Sequence, residues 1–166
     1  MKMFERFGEF DSVEELNAAA EGLLKEGDCE SIYVLAAENG IEQEDVEEYV
    51  EGYIPQFTSL YMAAIGRIDV QEASYKNEDS MTGMALKVIS MTLRGMVQKE
   101  TMAAAVMKKG KRIKDIYEVM REDASKNKSG NMAMVCGTDE DLRNIIQAYF
   151  MQGKEAAGKV IADLRK

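Results

Sequence analysis

Apolar residues recur every three to four positions along nearly the whole chain, and a single proline, Pro55, interrupts them. That spacing lines one face of a helix. The pattern therefore predicts an all-α fold, a compact bundle of about seven to eight short and medium helices, with one short strand near 132–136. Ser12 followed by Glu15 is a capping-box signature that opens the first helix, whose stripe is Val13, Leu16, Ala20, Leu23 and Leu24. Gly27 is placed to end it, Asp28 to cap a second helix on Ile32, Leu35 and Ala36, and Gly40 to stop that one. A third helix is expected from about Gln43 to Glu51, with Val46, Tyr49, Val50 and Tyr53 on its inner face, before Gly52 and Pro55 break the pattern.

Phe57, Leu60, Tyr61, Ala64, Ile65 and Ile68 share one face of a longer fourth helix. Ser80 reads as the cap of a fifth, which carries Met84, Leu86, Val88, Ile89, Met91, Leu93 and Met96. A band that broad predicts burial on two sides. A short segment around Met102–Met107 ends near Gly110, and Ile113, Ile116, Tyr117 and Met120 define a seventh helix. The polar stretch from Lys126 to Gly137 reads as a loop, with the alternation Met132, Met134, Cys136 suggesting the strand. Thr138 with Asp141 launches a last helix on Leu142, Ile145, Ile146, Tyr149 and Phe150, and Val160, Ile161 and Leu164 carry helical spacing into the tail. Residues 1–166 are expected to form one domain, an acidic helical subregion 1–55 joined to a mildly basic helical body 56–166.

Composition narrows the chemistry. The chain has no histidine and only two cysteines, Cys29 and Cys136, which removes zinc fingers, His-based acid–base catalysis and every Ser-His or Cys-His pair. No Walker A loop, EF-hand or dinucleotide fingerprint occurs. The expectation is a protein that is not an enzyme, with no catalytic residues, no metal ligands and no cofactor. No apolar run approaches the roughly 20 residues of a membrane span, so a cytoplasmic protein without a membrane partner is expected. Thirteen methionines suit either a soft core or an adaptable contact surface, and the latter would allow a homodimer.

Charge is distributed unevenly. Residues 1–55 hold 16 Asp/Glu against 3 Lys/Arg, and residues 56–166 hold 14 against 18, within a formal net charge of −9. Such a field suits docking on a basic surface, and equally a solubilised one. The sharpest local feature is Glu44, Glu47, Glu48 and Glu51, which fall at i, i+3, i+4 and i+7 on one face of the third helix. At about 1.5 Å rise per residue that is one charge per roughly 2.6 Å, against about 1.7 Å in duplex DNA. The opposite pole is Lys108, Lys109, Lys111, Arg112 and Lys114, which could contact nucleic-acid phosphates or a partner, or merely complement a helix C-terminus.

The opening block, Phe7-Gly-Glu-Phe-Asp-Ser12, Glu26-Gly-Asp-Cys-Glu-Ser-Ile-Tyr33, Glu38-Asn-Gly-Ile41 and Glu47-Glu-Tyr-Val-Glu-Gly52, resembles a family from mobile genetic elements of gut Clostridia. The family is that of anti-CRISPR inhibitors of the type II RNA-guided nuclease. The likeness covers the first third of the chain and, less well, Gly137-Thr-Asp-Glu-Asp-Leu142. It implies a non-enzymatic inhibitor that binds the CRISPR effector nuclease, with or without guide RNA, in a bacterial cytoplasm. A DNA mimic using the acidic face fits that implication, since such nucleases offer basic channels for nucleic acid. The alternative is a nucleic-acid-binding regulator of a mobile element that acts through residues 108–114.

Overall fold

The computed structural model describes residues 3–127 and 137–165, and among them the fold is all-helical. The nine helices there are α1 (Val13–Glu26), α2 (Cys29–Asn39), α3 (Gln43–Val50), α4 (Leu60–Ser74), α5 (Ser80–Met96), α6 (Glu100–Met107), α7 (Ile113–Lys126), α8 (Asp139–Gln152) and α9 (Lys154–Asp163). This is close to the expected seven to eight. The extra helix arises at Gly153, whose φ of 103° separates α9 from α8. The strand expected near 132–136 lies outside the described residues.

Local chemistry sets most of the boundaries. Ser12 Oγ accepts the Glu15 amide, while the Glu15 carboxylate accepts from Asp11 N–H at 2.8 Å, one residue earlier than a standard capping box. Asp28 caps α2 by accepting the Ser31 amide, and Gly27 and Gly40 close α1 and α2 in the left-handed conformation. Thr138 and Asp141 form the reciprocal box that starts α8. At α5 the cap is Asp79 rather than Ser80: its carboxylate accepts the amides of Met81 and Thr82.

Two hydrophobic clusters hold these helices. The first buries Val13, Leu16, Ala20, Ile32, Leu35, Val46, Tyr49 and Phe57 together with Ala63 and Met107. The second runs from Ala64 and Ile68 through Leu86, Leu93, Val106 and Ile116 to Ile145, Phe150 and Ile161. Leu60 packs against both, and α4 and α6 cross between them. The division falls close to the compositional one near residue 55. Where α2 meets α4 the two backbones touch: a Cβ added at Gly40 would lie 2.4 Å from the Gly66 carbonyl oxygen.

Five expected core residues are exposed. Tyr53 falls beyond the end of α3 and is 76% exposed, and Tyr61 on α4 is 44% exposed. On α5 the inward face is Leu86, Ile89, Leu93 and Met96, whereas Met84, Val88 and Met91 face outward. Among the described residues, α4, α7 and α8 cover that helix on its inward side.

Candidate functional site

Helix α3 is oriented by two buried side chains. Val46 is fully enclosed, and Tyr49 packs edge-on to Phe57 with ring centroids 5.5 Å apart. With that face fixed, the helical repeat turns Glu44, Glu47, Glu48 and Glu51 outward, and all four are exposed. None has a lysine or arginine partner among the described residues; their one side-chain contact is Gln43 Nε2–H donating to Glu47 Oε1 at 2.8 Å. The arrangement opposes the helix's own electrostatics. Carboxylates suit the N-terminal turn, where Glu44 and Asp45 lie, but Glu47, Glu48 and Glu51 occupy a C-terminal turn that holds no cation. Contrast α1, with Glu14 and Glu15 in its first turn and Lys25 in its last.

Sequence reading missed a second exposed acidic row, on α1. One row of α1, Glu14, Asn17, Ala18 and Glu21, lines an open groove of about 240 Å³ whose far wall is Tyr49, Pro55, Gln56 and Phe57. Glu14 and Glu21 are exposed there, and Glu21 pairs with Lys25. The i, i+3, i+4, i+7 signal was present in the sequence, but only the tertiary structure sets this row of α1 across a groove from Tyr49 of α3 and from Phe57.

The basic segment is placed differently. Lys108 Nζ lies 3.0 Å from Asp11, and Lys109 donates its backbone N–H to the same carboxylate while its ammonium sits 3.7 Å from Glu15. Lys111 Nζ donates to the Tyr149 carbonyl at 2.9 Å and lies over that ring. Arg112 forks onto both oxygens of Glu9 at 2.7 Å, and Lys114 pairs with Glu78. All five cations thus have partners within the chain. Lys108, Lys109 and Arg112 clasp the N-terminal lead-in to the α6–α7 turn, where Gly110 N–H also donates to Glu9.

Behind the clasp is Arg67, 1% exposed, which donates to Glu9, the Phe10 carbonyl and the Met107 carbonyl. Burial pulls its pKa down to about 10 against the opposing charge of Glu9, so it stays cationic at neutral pH. For Glu9, burial acts upward, but the Arg112 hydrogen bonds, the Gly110 amide and the two guanidinium charges outweigh it and hold the carboxyl below its ordinary value. No contiguous sequence pattern pointed to Glu9 and Arg67, because their partners are remote in the chain.

Among the described residues no group of three or more Cys, Asp or Glu side chains converges as metal ligands, and no helix is long and apolar enough to cross a membrane. The chain matches no family model, no curated protein and no solved structure in the comparisons made.

Proposed function

We propose that the chain is a non-enzymatic inhibitor that lays the acidic face of α3 into a cationic groove of a nucleic-acid-processing enzyme. The supporting observation is that Glu44, Glu47, Glu48 and Glu51 are exposed and have no countercharge among the described residues, whereas Lys108, Lys109, Arg112 and Lys114 are ion-paired and Lys111 is held by Tyr149. Like charges at this spacing cost the isolated helix a few tenths of a kcal/mol per adjacent pair, and of the four only Glu44, in the first turn, is favoured by its dipole. An external cationic surface would offset that cost. The target class that the opening-block resemblance implies is a type II CRISPR effector nuclease, whose channels for heteroduplex and displaced strand are positively charged. Occupying such a channel would block DNA binding or cleavage without any bond being made or broken.

The test is the quadruple variant E44K/E47K/E48K/E51K. Its circular dichroism should match the parent, because all four side chains point to solvent. Its affinity for the effector, by pull-down or calorimetry with and without guide RNA, should fall about 100-fold or more. Parent-like binding and inhibition by the variant would remove the mimicry mechanism. A mobility-shift titration of the chain on duplex and single-stranded DNA addresses the regulator reading. Salt-sensitive retardation lost on replacing Lys108 and Lys109 would favour that reading over inhibition.

A further inference from the structure

The outward face of α5 is apolar in a defined pattern. Met81, Met84, Val88 and Met91 keep 79%, 63%, 53% and 62% of their surface exposed. With Gly95 they follow the spacing 3, 4, 3, 4, the a/d repeat that brings one helix seam against another. The inward face has a separate set of residues, so these side chains are not needed to hold the fold. The seam amounts to on the order of 500 Å² of apolar surface, the upper range for the largest patch of a typical monomer. Two such seams together reach about 1,000 Å², the lower bound for a specific interface.

Shape and charge both select the occupant. A Cβ added at Gly95 meets nothing within 4 Å, so the seam has a shallow end at Gly95 and a large knob at Met84. Antiparallel pairing about an axis between Val88 and Met91 sets Met84 against the partner copy's glycine hole, and Val88 against its methionine at position 91, each twice by symmetry. The same register brings Lys87 toward the flank that carries Arg94. There Arg94 is bound by two carboxylates, Asp69 and Glu72, which leaves one negative charge in excess. Lys87 is exposed and has no ion-pair partner among the described residues, so it supplies the complement.

We propose that this seam is a homodimer interface in which α5 of one copy pairs antiparallel with α5 of a second. The surface is distinct from α3, so the assembly presents two acidic faces and does not depend on what those faces bind.

Sedimentation equilibrium of the full chain from about 1 to 500 μM tests it. The expected result is a shift from monomer to twice that mass with a midpoint in the tens of micromolar. M84E/M91E, whose side chains are solvent-facing in one copy, should keep parent helicity and remain monomeric at every concentration. G95L has open space in the monomer but fills the hole for Met84, and should weaken association at least tenfold with the fold retained. K87E should weaken it several-fold at low salt. A parent chain that stays monomeric to 500 μM overturns the proposal, as does association unchanged in M84E/M91E. Dimerisation unaffected by G95L overturns the antiparallel register. A monomer that floats with phosphatidylglycerol vesicles through the same methionines would instead assign the seam to a lipid surface, and would overturn self-pairing.

Discussion

Glu9 is the residue on which the N-terminal clasp turns. It is 13% exposed and accepts from Arg67, Arg112 and the Gly110 amide. Glu9→Gln would leave the buried Arg67 guanidinium without its carboxylate, an expected loss of about 3 kcal/mol, measurable by urea denaturation. The pH dependence follows from the same contacts. Because the folded-state pKa of Glu9 lies below its unfolded value, its contribution is fully present above the unfolded value, ordinarily 4.5, and is lost as pH falls through the folded one. Asp11 acts in the same direction, held down by the Lys109 amide and the Lys108 ammonium. Thermal unfolding followed from pH 7 to pH 3 should show stability declining below about pH 4.5 in the parent, and a shallower decline in Glu9→Gln.

At the scale of elements, the crossing of α2 and α4 depends on two glycines in backbone contact. Gly40 has φ +67°, and a Cβ at Gly66 would sit 2.3 Å from the Asn39 carbonyl oxygen. Gly66→Ala should force the helices apart and cost about 3 kcal/mol, read as a lowered denaturation midpoint. Gly22 in α1 is a control, because a Cβ there meets nothing, and Gly22→Ala should be neutral or stabilising. Asp79→Ala should cost about 1 kcal/mol through loss of the α5 cap, whereas Ser80→Ala should cost little. Helix α5 also explains why apolar breadth did not settle burial. An apolar band around most of a helix states how much of it burial would favour, without stating which side the rest of the chain covers.

For the whole molecule, charge segregation has two components. Part of the acidic excess of residues 1–55 is met internally, as Glu9, Asp11 and Glu15 bind Arg67, Lys108, Lys109 and Arg112. Of the remainder, Glu38 is buried and accepts the Arg6 and Phe7 amides, Glu21 pairs with Lys25, and Glu44, Glu47, Glu48 and Glu51 on α3 are open to solvent. Raising salt to about 1 M should therefore dissociate a charge-mediated partner complex while leaving the helical signal of the free chain nearly unchanged, since screening acts mainly on exposed pairs. A melt and a binding titration at matched salt concentrations separate the two effects.

The helices, their caps at Ser12, Asp28 and Thr138, and the outward turn of Glu44, Glu47, Glu48 and Glu51 were legible in the sequence, because each depends on residues within about two turns of one another. The role of Lys108–Arg112 was not. Glu9 lies 103 residues from Arg112 and 58 from Arg67, and no local periodicity encodes which distant charge will meet a cation. Likewise the pattern announced the broad apolar surface of α5, but only the packing of α4, α7 and α8 decided which side was covered. Short-range hydrogen bonding and helical repeat are properties of a segment. Charge pairing and burial are properties of the neighbours that tertiary structure brings to it.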